Sequence, residues 1–188
     1  MAIGRWIKGL RENAALRDTA HKMYVTTVNQ ARSPALFSGL GAPDTLDGRF
    51  DLVVLHVGLV LRRLRGCGEG GQKLSEAVFS VFFDDLDQTV REMGVGDMRV
   101  GKKVKAMARA FYGRCKVYDE ALDAEDVEAL VDALRRNIYG PDAARTPAMD
   151  VLGRYVRNVV TGLESQGEDA VLSGDISFPP VPGASEQG

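Results

Sequence analysis

In the ten residues from Leu52 to Leu61 only His56 and Gly58 interrupt an aliphatic run, and Arg62-Arg63-Leu64-Arg65 closes it. A helix that is apolar on almost every side has no face for solvent and must be enclosed by other elements. The run covers about half of the ~20 residues needed to cross a bilayer, so it predicts the buried central helix of a globular domain. The polar, turn-rich stretch before it, Pro43-Asp44-Thr45-Leu46-Asp47-Gly48-Arg49-Phe50-Asp51, places a charged loop at its mouth. Asp47 is the expected N-cap. Arg62, Arg63 and Arg65 suit the other end, where the macrodipole favours cations.

Helical spacing organises the rest, and no segment alternates as a strand does. A first helix is expected over 12–31, with Leu16, Ala20, Met23, Tyr24, Val28 and Ala31 on one face, stopped by Ser33-Pro34. Leu36, Phe37 and Leu40 suggest a short turn, and Gly66, Gly68, Gly70 and Gly71 a flexible link. Helices follow over 73–93 and 101–122. The second carries the cleanest stripe, Val104, Ala108, Phe111, Cys115, Tyr118 and Leu122, at alternating steps of four and three. Asp123 can cap a helix reaching Ile138, and Thr146-Pro147 reads as the N-cap and first turn of a last helix ending near Leu163. After Gly167 the pattern dissolves. The expectation is one all-α domain, a bundle of about six helices around a central buried one. Residues 1–20 form an amphipathic helical lead, 21–165 the domain and 166–188 an extended or disordered tail.

At 188 residues, 45% of them apolar and 27% charged, the chain can bury one substantial core. A net charge of -2 excludes polyanion binding by bulk charge alone. Cys67 and Cys115 show no metal or redox spacing and are expected to be reduced thiols of a cytosolic protein. The first residues have no signal-peptide core, and Glu12 and Asp18 break the basic pattern of a transit peptide. Trp6, Ile7 and Leu10 beside Arg5, Lys8 and Arg11 form a basic amphipathic segment. It suits either a membrane interface or a helical turn packed on the core.

Phe83-Asp84-Asp85-Leu86-Asp87 is the sharpest catalytic candidate, because carboxylates gathered on a helix can hold magnesium for work on isoprenoid diphosphates. Helical geometry puts Asp84 and Asp87 on the polar side and Asp85 on the apolar one, so the three do not converge. Asp87 pairs instead with Arg91, four residues on. Asp85 on an apolar face needs a partner, and Arg49, His56 and Arg114 are the candidates. A buried polar network that fixes packing outweighs a functional site as its explanation. His21 and His56 support no nucleophilic arrangement. Gly94-Val95-Gly96-Asp97 follows a helix, so it reads as a helix stop and not as a phosphate loop. Neither a metal nor a cofactor is expected.

Charge is unevenly placed. Seven basic residues and no acid lie from Arg99 to Lys116, then seven acids and no base from Asp119 to Asp132. Lys102, Lys105, Arg109 and Lys116 line the helix side opposite Phe111 and Cys115. This is either a solvated face or a docking strip for RNA phosphates, acidic lipid headgroups or an acidic protein segment. No aromatic residue is expected among the lysines, which argues against base stacking.

Several ordered blocks together resemble the ubiquinol–cytochrome c chaperone family, assembly factors of the respiratory cytochrome bc1 complex. They are the 43–51 stretch with Leu55-His56 and Leu61-Arg62-Arg63-Leu64, then Phe83-Asp84-Asp85-Leu86-Asp87. Arg91-Glu92-Met93-Gly94-Val95-Gly96-Asp97, Lys102-Lys103-Val104-Lys105 and Phe111-Tyr112-Gly113-Arg114 complete the set, within about 24–139. The resemblance implies an all-helical, non-enzymatic chaperone of newly made cytochrome b. It implies a bacterial member of the family, cytoplasmic and peripheral at the inner face of the membrane. A ribosome near its tunnel exit and a small partner protein are the further partners implied. On this reading Lys102, Lys103, Lys105 and Arg109 dock on the ribosome or on acidic lipid. Asp44, Asp47, Arg49, Asp51, His56, Asp84, Asp85, Arg91 and Asp97 form a polar network that contacts the client or braces the fold. The alternatives are a magnesium-dependent helical enzyme and a structural subunit of a respiratory complex.

Overall fold

The structure, a computed structural model, describes residues 2–92 and 97–183, with side chains described over 13–92 and 99–183. Every regular element among them is helical: α1 (Ala2–Ala31), α2 (Pro34–Ser38), α3 (Leu46–Arg65), α4 (Gly68–Glu92), α5 (Asp97–Asp123), α6 (Val127–Leu134), α7 (Pro147–Glu164) and α8 (Glu168–Leu172). A π-helical turn, Arg135–Tyr139, continues α6. The all-α expectation holds, and α2 and α8 add two short helices to the six foreseen. α1 starts ahead of the expected 12–31, and the side chains of Arg5, Trp6, Ile7, Lys8, Leu10 and Arg11 lie outside the described residues.

The aliphatic run is the centre of the molecule. α3 packs against α1, α4, α5, α7 and the π turn, and Leu52, Val54, Leu55, His56 and Val57 have no exposed surface. Its start differs from expectation. Thr45, in extended conformation, is the N-cap and accepts from the Gly48 amide at 3.1 Å, while Asp47 sits in the first turn. Gly48 is required because a Cβ there would lie 2.1 Å from the Pro43 carbonyl oxygen. At the other end the arginines reach outward to neighbours. Arg63 donates to the Leu163 and Gln166 carbonyls at the end of α7, and Arg62 and Arg65 pair with Asp119 on α5.

The glycines at 66–71 are no flexible link. They make a tight α3–α4 hairpin in which a Cβ on Gly71 would meet the Leu64 carbonyl oxygen at 2.1 Å. Asp126, not Asp123, caps α6, accepting from the Ala129 amide at 2.9 Å, because Asp123 is still helical and turned to Arg62. The tail is also more structured than the sequence suggests. After α8 the chain runs without regular structure through Ser173–Gly183, with Ile176 and Val181 buried in the core and Phe178 against the His56 ring.

Candidate functional site

A recess of about 200 Å³ opens where α1, α3, α4 and α5 meet. Phe50, Val53, Phe82, Leu86 and Met107 give it an apolar lining, and Arg32, Asp47, Arg49, Asp85 and Lys103 a charged rim. The lining follows from packing: Phe50 stacks on Phe82 at 6.5 Å, and Phe82 in turn lies 6.2 Å from Tyr24. Asp85 is exposed, not buried, and its partner is none of the three expected. The Tyr24 hydroxyl donates to its Oδ2 at 2.7 Å, and burial, with that bond adding, raises the phenol well above its ordinary value. The helical wheel put Asp85 on the apolar face correctly, but there the face borders the recess.

The residues proposed as one polar network separate into several. Arg49 pairs with Asp44 at 2.6 Å on the surface beside the recess, and Asp84 pairs with Arg17 of α1 at 3.1 Å. Arg91 pairs with Asp87 at 2.6 Å, as the spacing predicts. The side chain of Asp97 lies outside the described residues. Two of them, Asp51 and His56, link elements of the fold. Asp51, nearly buried, meets Arg114 of α5 at 2.8 Å, and the guanidinium also lies over the Phe50 ring. Burial pushes the Asp51 carboxyl up to about 6, opposed by Arg114 and assisted by the Asp47 charge. His56 is fully buried, and burial lowers it to about 4, so it is neutral at neutral pH. Its Nδ1 lies 2.8 Å from the Leu52 carbonyl, which can only accept, so Nδ1 carries the proton. Nε2 then accepts from Tyr155 Oη at 2.9 Å, and Gln30 donates to that oxygen and to the Pro179 carbonyl. One chain of bonds thus ties α1, α3, α7 and the tail.

The basic strip divides as well. Lys102, Lys105, Arg109 and Lys116 are exposed, whereas Lys103 is half-buried at the recess. Tyr112 stands exposed on the same side of α5, between Arg109 and Lys116, so an aromatic residue does interrupt the cations. The i, i+3 and i+4 spacing of Arg109, Tyr112 and Lys116 carries that signal in the sequence, and the opposition of the strip to Phe111 and Cys115 does not reveal it.

Residues 38–178 match the model of the family described as ubiquinol-cytochrome C chaperone. The chain belongs to that family. Ubiquinol-cytochrome-c reductase complex assembly factor 1 of Xenopus laevis is 27% identical over 88% of this chain and 83% of its own length. The human protein of that name is 28% identical over 88% of this chain and 56% of itself, so the chain spans little more than half of that relative. The crystal structure of the Cbp3 homolog from Brucella abortus matches with a TM-score of 0.84 and 35% identity, covering 96% of this chain and 98% of that one. The match starts later than the 24–139 resemblance but runs on to Phe178, and so takes in the first part of the irregular strap after α8, whose Phe178 packs on His56.

The family is described as one of chaperones, and the relatives are named as complex assembly factors. Asp84, Asp85 and Asp87 face three different partners, Arg17, Tyr24 and Arg91. Among the described residues no group of His, Cys, Asp or Glu could hold a metal ion, and no helix is long and apolar enough to cross a membrane. What the recess can do is bind: it offers apolar surface to a side chain and exchangeable charges around it.

Proposed function

We infer that this protein is an assembly chaperone of the ubiquinol–cytochrome c reductase complex, and that it holds newly made cytochrome b until the complex takes it up. The family match over 38–178, with relatives named as assembly factors for that complex, carries the reading. The recess supplies a physical means. An unassembled membrane subunit exposes apolar helical side chains that associate non-specifically unless covered. A cavity of about 200 Å³ beside Phe50, Phe82 and Met107 has room for one such side chain. Ion pairs at an exposed rim are worth little and exchange readily, which suits a grip that must later release. Work at the inner face of the membrane, near a translating ribosome and with a small partner protein, belongs to the same reading. Deleting the gene is expected to lower the b-type haem absorbance and the reductase activity of membranes together. Normal levels of both would overturn the assignment.

A further inference from the structure

The exposed face of α5 has a composition that the recess does not use. Lys102, Lys105, Arg109 and Lys116 extend along it for about 21 Å at helical rise, and no acid interrupts the segment from Arg99 to Lys116. Lys102, Lys105 and Arg109 make no ion pair with any described residue, and Lys116 only approaches Glu120 at 3.7 Å, both side chains well exposed. Beside these cations stands Tyr112, 59% exposed, the most exposed of the large apolar side chains described. It is backed by Phe79 of α4 at 5.5 Å, which in turn packs on Phe83 at 4.5 Å, and both phenylalanines are only partly covered.

We propose that this face, Lys102, Lys105, Arg109 and Lys116 around the Tyr112–Phe79–Phe83 shelf, is a peripheral docking surface for an anionic lipid bilayer. Long cationic side chains reach lipid phosphates while aromatic rings settle at the headgroup boundary, so the two residue types belong together at such an interface. A nucleic acid would use the same cations but needs an open ring face for its bases. Phe79 and Phe83 are each engaged with three neighbouring rings and Tyr112 with two, which favours a lipid surface. The inference deepens the proposed work at the inner face of the membrane and rests on it, but it is independent of which client the recess holds.

The test is flotation of the full chain with phosphatidylcholine vesicles, with and without phosphatidylglycerol, at low and high salt. Binding is expected only with phosphatidylglycerol, weakening as salt rises. Lys105→Gln with Arg109→Gln should weaken it about 25-fold, from roughly fivefold per cation near an anionic surface. Tyr112→Ala should weaken it several-fold, on the order of one aromatic anchor's burial. Lys105 and Arg109 are exposed, so thermal melting should not move in the double variant, and Tyr112→Phe, which keeps the ring packing, should melt and bind nearly as the parent does. Binding unchanged in the double variant and in Tyr112→Ala, or abolished only by substituting Trp6 and Ile7, would overturn the proposal. So would the cations proving necessary for cosedimentation with ribosomes while no vesicle is bound.

Discussion

Asp51 and His56 place opposite pH dependences in one small core. Asp51 folds with its carboxyl raised from 3.8 to about 6, so its contribution is full below pH 4 and is lost as pH rises through 6. His56 folds with its imidazole lowered from 6.5 to about 4, so its contribution is full above pH 6.5 and is lost as pH falls through 4. Between about pH 4 and 6 the two slopes oppose, each at most about 1.4 kcal/mol per pH unit. Asp51→Asn should unmask the histidine, giving a urea midpoint that falls as pH drops from 6.5 to 4.5. His56→Gln should show the reverse trend. Equal slopes in both variants would contradict these environments. At the recess, Asp85→Ala is expected to cost about 1 kcal/mol or less, because it removes one hydrogen bond at a solvent-accessible position, yet to weaken client capture. A large drop in melting temperature with normal capture would make the Tyr24–Asp85 pair a brace instead. That pair shows the limit of a helical wheel. The wheel gives the direction of Asp85 but not that Tyr24, itself on the apolar stripe of α1, turns its hydroxyl to it.

The long helices were readable because each buries a regular stripe. Met149, Leu152, Val156, Val159 and Leu163 are all buried on α7 as their spacing predicts. Positions decided by a single contact were not readable. The same glycines that suggest flexibility at 66–71 allow the closest approach of α3 and α4, and only the Gly71–Leu64 geometry distinguishes the two. Gly71→Ala should therefore destabilise by about 2 kcal/mol or more, measured by the denaturation midpoint, where a true linker would be indifferent. The strap after α8 escaped notice because Ile176, Phe178 and Val181 follow no period. They are held one by one, assisted by Gln166, whose side chain both donates to the Ser177 carbonyl and accepts from its amide. Truncation after Ser173 should cost several kcal/mol, at roughly 1.5–3 for each apolar side chain fully buried, and should expose the Tyr155–His56 chain of bonds. Unchanged stability would mean that the strap is not part of the core.

On the scale of the whole molecule the charges sort by role. The acidic run from Asp119 to Asp132 is largely spent on structure: Asp119 and Asp123 hold the arginines of α3, Glu128 holds Arg145, and Asp132 holds Arg135 and Arg136. Lys102, Lys105 and Arg109 before it are left outward, and the recess, with Lys103 at its rim, lies between them and the N-terminal helix. Such a division suits a chaperone that rests on one surface and grips with another. The central claim is that the recess holds the client. A photo-crosslinking residue in place of Thr89, at the recess, should capture newly made cytochrome b in cells. The same residue in place of Arg154, exposed on α7, should capture little. Capture from position 154 with none from 89 would contradict the account.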